Sequence, residues 1–437
     1  MRRLILAICA ALLLSGCART LDYNRLYAQL QNGDCRAAAR HLDKSRADYG
    51  DNGQLLYLLD SAMVHLQCRE YETAQEKFHA AERLAEALWT ESLSRQAASL
   101  VTNEYLLKYA GEDYERALIN MMSAIGYLQS GQFDDALVEC RRLDSLLSLF
   151  NEKYEKKNVY KEDAFGRYLS GILHEADNAL DDAFIDYRKA YATYSDYESH
   201  YQTPAPPTLI EDLLRVAGAV DRIEEVKALL PDTLDPERFQ FEKTRLLGKV
   251  VFLQLRGRAP VKTQGQFILP TRNGPVSIAY PRLLLLPTAC KDHRLTLSSE
   301  AGRFEAPLAL AEDIGRIALK NLDDKKARIM AKTLARVVAK QVLIDGLSKN
   351  NDKNTEMALK TALNIANLFL ERADTRSWRT LPGEIYMTRM FVPTGEYRVQ
   401  TAGCDKPPHN LEKILVKAGK TNYIVHDERF VPVVPNK

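Results

Sequence analysis

Neither sign of charge is in surplus: 60 Lys and Arg stand against 58 Asp and Glu in 437 residues, a formal net charge of +2. So balanced a chain lacks the basic footprint of a nucleic-acid binder, and no nucleic-acid partner is expected. Past the N-terminus, no apolar stretch is long and charge-free enough to cross about 30 Å of hydrocarbon. The strings G-x-S-x-G, H-E-x-x-H and the P-loop do not occur, and no two cysteines have C-x-x-C spacing. These absences predict no metal, no cofactor, no evident small-molecule substrate and no catalytic residues. They exclude motifs rather than activity, because an active site assembled from distant residues leaves no local string. His174-Glu175 stands alone and reads as a solvated helix face.

What is present begins at residue 1. Arg2 and Arg3 precede an apolar run, residues 4–14, which has the length of a signal h-region and is too short for a membrane span. Leu14-Ser15-Gly16-Cys17 follows. This resembles the lipobox of bacterial lipoprotein signals, which implies removal of 1–16 and acylation of Cys17. The alternative is an ordinary secretory signal with an incidental cysteine. Several acyl chains on one cysteine make a lasting membrane anchor. Ala18 rather than Asp follows the cysteine; by resemblance to enteric sorting, this implies the periplasmic face of the outer membrane. Cleavage removes two arginines and no acid, so the formal charge of the mature chain falls to zero.

An oxidising compartment permits disulfides. Cys35 and Cys68 are spaced by about one helical repeat, and Cys290 and Cys404 fall near expected strand ends. Both pairs are candidate disulfides, with Cys140 a buried thiol. Free thiols throughout are the competing reading, since spacing alone does not fix connectivity.

Residues 17–230 repeat with a period near 34. Ala62, Tyr71, Ala74, Phe78 and Ala81 set a frame. It recurs at Ala124, Tyr127, Gly131, Phe133, Ala136 and Cys140, and again at Gly171, Leu180, Ala183, Tyr187 and Ala190. Residues 208–230 add a degenerate unit. The pattern resembles the tetratricopeptide family, in which small residues let paired helices approach and large ones fill the gaps between hairpins. By that resemblance, first helices line a concave groove of Leu59, Met63, Leu66, Met121, Ile125, Leu128, Tyr168 and Ile172. So long an apolar stripe needs a cover, either the chain's own second half or a protein partner.

Near Pro231-Asp232 the periodicity turns strand-like. Leu247–Arg256, Val276–Tyr280, Arg282–Leu286 and Arg294–Leu297 read as strands, and Asn273-Gly274 as a turn. Residues 311–346 and 354–372 read as long helices, the first with Ile314, Ile317, Ile329, Leu334, Val337, Val338 and Leu343 on one apolar face. The last stretch, 383–437, is similar to small periplasmic β-sandwich modules, with Leu411–Val416 and Thr421–Val425 expected to pair across Ala418-Gly419-Lys420. The predicted class is therefore α+β: a helical-hairpin array (17–230), a mixed strand and long-helix region (231–382), and a small β module.

The segment Ala373-Asp374-Thr375-Arg376-Ser377-Trp378-Arg379-Thr380-Leu381-Pro382 holds one of only two tryptophans. Together with the lipobox and the repeats, it resembles a family of uncharacterised Gram-negative envelope lipoproteins with tetratricopeptide-like repeats. That resemblance implies architecture and location but no chemistry. Arg376 and Trp378 are a candidate binding hot spot by residue type; the competing role for Trp378 is an anchor at a helix-to-strand corner. The function expected is a lipid-anchored periplasmic scaffold binding protein partners in envelope biogenesis. A regulator of a peptidoglycan synthase and an envelope hydrolase are the alternatives.

Overall fold

The computed structural model describes residues 21–94, 105, 107–153, 160–229, 241–271, 274–286, 291–348, 372–403 and 406–429. Helices come in pairs joined by turns of a few residues: α1 (Tyr23–Gln31) with α2 (Cys35–Lys44), α3 (Gln54–Gln67) with α4 (Tyr71–Ser94), and α5 (Asp113–Ser130) with α6 (Phe133–Lys153). Then follow α7 (Ala164–Ala176) with α8 (Leu180–Tyr201), and α9 (Pro207–Ala219) with the short α10 (Ile223–Lys227). Successive pairs stack, α4 on α5, α6 on α7 and α8 on α9. Each amphipathic hairpin thus buries its apolar side against the next.

The small residues of the repeat frame sit where helices touch. Ala62, Ala74, Ala81, Ala124, Ala136, Ala183 and Ala190 are wholly buried. A Cβ on Gly171 would stand 2.5 Å from the Tyr187 ring, so this crossing tolerates nothing larger than glycine. Gly131 ends α5 at φ +77°, a left-handed cap that glycine adopts without a steric penalty.

After a short helix, α11 (Phe241–Arg245), come β1 (Gly248–Arg256), β2 (Val261–Thr271), β3 (Gly274–Leu284), β4 (His293–Ser299), β5 (Gly302–Pro307) and β6 (Ala309–Asp313). The long α12 (Ile314–Ser348) leads on to β7 (Glu384–Val392), β8 (Gly395–Gly403), β9 (Lys406–Val416) and β10 (Thr421–Glu428). Two four-stranded sheets form, in the orders β10-β1-β7-β6 and β5-β4-β8-β9, while β2 and β3 make a separate hairpin. β1 and β10 run parallel; the other pairs are antiparallel.

The first sheet is the middle of three layers. On β1, Val251, Leu253 and Leu255 join the core of the helical array, whereas Val250 and Phe252 join Leu295, Leu297, Tyr397 and Val399 of the second sheet. Alternate residues of a strand face opposite sides, and here both sides are covered. That is why β1 reads as a nearly unbroken apolar run.

Three expectations are corrected by this topology. Residues 383–437 are not a separate β module: β7 and β10 pair with β1, and β8 pairs with β4, so strands from both sides of residue 382 interleave in each sheet. Leu411–Val416 and Thr421–Val425 do not form a hairpin; β9 joins β8 and β10 joins β1, because the two apolar sets are needed in different layers. The apolar residues of α12 do not share one buried face. Ile314 and Ile317 enter the main core and Val337 packs on Val276 and Ile278 of β3, whereas Leu334 and Val338 are exposed. The helix runs unbroken through Asp323-Asp324. The helix expected over 354–372 lies almost wholly outside the described residues.

Candidate functional site

The concave groove expected from the repeats is filled. Leu59, Met63, Leu66, Met121, Ile125, Leu128, Tyr168 and Ile172 are each at most 2% exposed. They belong to one cluster with Val251, Leu253, Ile314, Trp378, Ile385 and Met387 from the second half of the chain. α5 lies against β10, and α7 against β6. The cover is therefore the chain itself, and these eight residues present no open surface to a partner.

The tryptophan segment threads across the N-terminal hairpins. Trp378 is 1% exposed and meets Phe78 edge-on at 6.4 Å between ring centres. Its backbone N–H donates to Glu115 Oε1 at 2.8 Å, and its indole N–H to Thr380 Oγ1 at 3.0 Å. Thr380 in turn donates to Asp60 Oδ1 at 2.7 Å, while Tyr23 and Tyr49 both donate to Asp60 Oδ2 at 2.7 Å. Burial pushes the Asp60 carboxyl up, against the lowering effect of these three hydroxyls. Arg376 is bound to Asp374 and donates to the carbonyls of Asn52 and Leu107 at 3.0 Å. The hot-spot reading of Arg376 and Trp378 is thus corrected: both are consumed internally, tying the segment to the array.

Sequence reasoning missed a charged cluster at the boundary between helices and sheet. Glu175 of α7, read as solvated, is fully buried. It accepts two bonds from Arg215 at 2.9 and 2.6 Å, one from Lys249 at 2.8 Å and one from Arg389 at 2.7 Å. Asp212 accepts from Arg215 at 2.7 Å and from Tyr168 at 2.8 Å, and lies 2.8 Å from Arg389 Nη1. The Arg215 and Arg389 guanidinium groups stand 4.7 and 5.0 Å from the centre of the Phe391 ring. Burial pushes the Glu175 carboxyl up, but Arg389 and Arg215 outweigh it and hold it well below the usual carboxylate range. Burial lowers the Lys249 ammonium, only partly offset by Glu175. The signal was available: Glu175 and Arg389 are charges at positions where the helix and strand periods call for apolar side chains. With every member under a tenth exposed, the cluster locks layers together and meets no solvent-borne molecule.

A cavity of about 110 Å³ lies between α6, α7 and α8, lined by Cys140, Asp163, Arg167, Ser170, His174 and Asp186 among others. Ser170 donates to Asp186 Oδ2 at 2.6 Å, and His174 Nε2 lies 3.8 Å from the same oxygen. Cys140 is a free, buried cysteine. Burial and then Asp186 push its thiol far up, so it is protonated at neutral pH and no thiolate nucleophile is offered.

Cys35 and Cys68 form a disulfide linking α2 to the end of α3, with Cα atoms 5.6 Å apart. Cys17, Cys290 and Cys404 lie outside the described residues. Among the described residues no helix is long and apolar enough to cross a membrane, and no group of three His, Cys, Asp or Glu side chains is placed to hold a metal ion.

No protein-family model and no curated protein sequence matches the chain. Among solved structures, BtubC (BKLC) from P. vanneervenii is similar at 13% identity and a TM-score of 0.31, over 51% of this chain and 84% of that one. MamA of AMB-1 is similar at 13% identity and a TM-score of 0.27, over 49% of this chain and 92% of that one.

Proposed function

We propose that this chain is a non-catalytic scaffold of the cell envelope, anchored by acylated Cys17 at the periplasmic face of the outer membrane and binding protein partners through its outer surfaces. The anchor rests on the Leu14-Ser15-Gly16-Cys17 string. One observation carries the binding role. With the concave face spent on the chain's own strands, an apolar stripe on α12 is exposed among the described residues: Leu334, Val338 and Val342, at i, i+4 and i+8, are 40, 62 and 66% exposed. Residues at that spacing share a helix face, and an exposed apolar stripe commonly marks a protein-binding surface.

Two measurements test this reading. Mass spectrometry of the mature N-terminus is expected to find diacylglyceryl-modified Cys17, with Cys17→Ser blocking the modification; an unmodified terminus at another residue overturns the anchor. Photocrosslinking in cells from position 342 is expected to give a protein adduct that Val338→Asp reduces at least fivefold. Absence of any adduct, or an adduct indifferent to Val338→Asp, overturns α12 as the binding surface.

A further inference from the structure

The first hairpin carries three acids and, besides His41, four bases. Its acids are occupied locally: Asp22 accepts from the Arg25 backbone N–H at 3.2 Å, Asp34 from that of Ala37 at 3.0 Å, and Asp43 from the Tyr57 hydroxyl at 2.9 Å. Its bases are not. Arg25, Arg36, Arg40 and Lys44 are exposed, and among the described residues no acid pairs with them. Arg36, Arg40 and Lys44 are spaced i, i+4 and i+8 on α2, one stripe about 12 Å long. Elsewhere on the surface some bases, such as Arg188, Lys227 and Arg303, have acidic partners. The last-turn Lys44 is favoured by the helix dipole, but Arg36 in the first turn is opposed by it. Helix stability therefore does not account for the stripe.

Its position points to an occupant. His41 Nε2 lies 3.1 Å from the carbonyl oxygen of Asp22, so the α2 face carrying Arg40 and Lys44 borders the point where the chain enters the packed body. Leu21, the first described residue, is buried. Only three residues lie between it and Cys17, four steps along the chain and a reach of at most about 14 Å. We propose that the α2 stripe docks on a bilayer surface carrying anionic phospholipid headgroups, making a second membrane contact beside the acyl anchor and fixing the body's orientation on the membrane. The inference rests on the anchor reading. The short tether keeps the stripe within reach of the headgroups, whose potential decays over about 10 Å at 0.1 M salt. Each base near such a surface strengthens attachment about fivefold, so three contribute on the order of 100-fold.

The test uses the acylated protein on vesicles of phosphatidylcholine alone or with roughly a third phosphatidylglycerol. Amine acetylation of Lys44 and phenylglyoxal modification of Arg36 and Arg40 are followed by mass spectrometry, with exposed Lys413 as the internal standard. Anionic vesicles are expected to slow modification of all three residues at least fivefold relative to neutral vesicles, to release them in 0.5 M salt, and to leave Lys413 unchanged. In R36E/R40E, Lys44 is expected to react equally on both vesicle types. Equal rates for the wild-type protein on both surfaces, or protection of Lys44 that survives R36E/R40E, overturn the proposal. Failure of the anchor reads out separately, as failure to float with neutral vesicles. In that case an unprotected Lys44 on anionic vesicles at low salt still overturns the stripe.

Discussion

The two faces of the central sheet meet their neighbours by different physics. Toward the second sheet, β1 and β7 offer Val250, Phe252, Met390 and Val392, an apolar layer whose fit depends on volume. Toward the helices the same strands offer Val251, Leu253, Ile385 and Met387 as well, but among them stand Lys249 and Arg389, which reach Glu175 and Asp212 across the boundary. A greasy face tolerates sliding and repacking. A buried charge tolerates neither, because separation from its partner leaves it desolvated and alone. The comparison teaches that both faces supply burial, while the charges on the helix side add a requirement for which helix meets which strand.

The comparison can be broken at its strongest point first. Arg389→Met is expected to lower unfolding free energy by about 4 kcal/mol in urea titration, because Glu175 and Asp212 then share fewer cations in a dry site. A loss below about 1 kcal/mol would show the boundary to be as forgiving as the greasy face. Phe252→Ala on that other face is expected to cost about 3 kcal/mol through lost burial and a cavity. Its near-ultraviolet circular dichroism is expected to stay native-like, whereas Arg389→Met is expected to lose signal from the tyrosines at the boundary.

The smallest effect sharpens the comparison at the sheet's edge. Asp313 caps α12, accepting from the Arg316 backbone N–H at 2.8 Å, and burial raises its carboxyl to about 6. An unfolded aspartate titrates near 3.9. The folded state therefore keeps this proton longer, and stability from this group is lost as pH rises from about 4 to 6. Asp313→Asn keeps the cap and removes the titration. The variant is expected to gain on the wild type across that window by no more than about 1.4 kcal/mol per pH unit, read from urea midpoints. A gain that grows instead as pH falls would overturn the assignment.

Much of the array was legible because its signal is local. Ala74, Phe78 and Ala81 lie on consecutive turns of one helix, and the Cys35–Cys68 spacing matched one repeat. β1 was legible from Val250 to Leu255 for the same reason. Sheet partners were not. Nothing around Thr421–Val425 indicates that its partner is Lys249–Arg256 rather than the adjacent β9, since a parallel pairing is made far along the chain. The eight residues expected in the groove share one buried cluster, but what covers them is not legible, because an apolar stripe carries no record of what lies on it. Trp378 stands out by its rarity, but its bond to Glu115 depends on a helix turn 263 residues away in sequence. The charge cluster leaves no local string: Glu175 stands out only against the apolar period that Tyr168 and Ile172 set on its own helix, and its partners Arg215, Lys249 and Arg389 lie far along the chain.

The parallel pairing of β10 with β1 sets an order of events for a newly made polypeptide. Until residues 421–428 emerge, one edge of β1 is bare and the boundary layer is unfinished. A chain cut before β10 would keep the antiparallel pairs β2–β3 and β8–β9 but leave that edge of β1 without its partner strand.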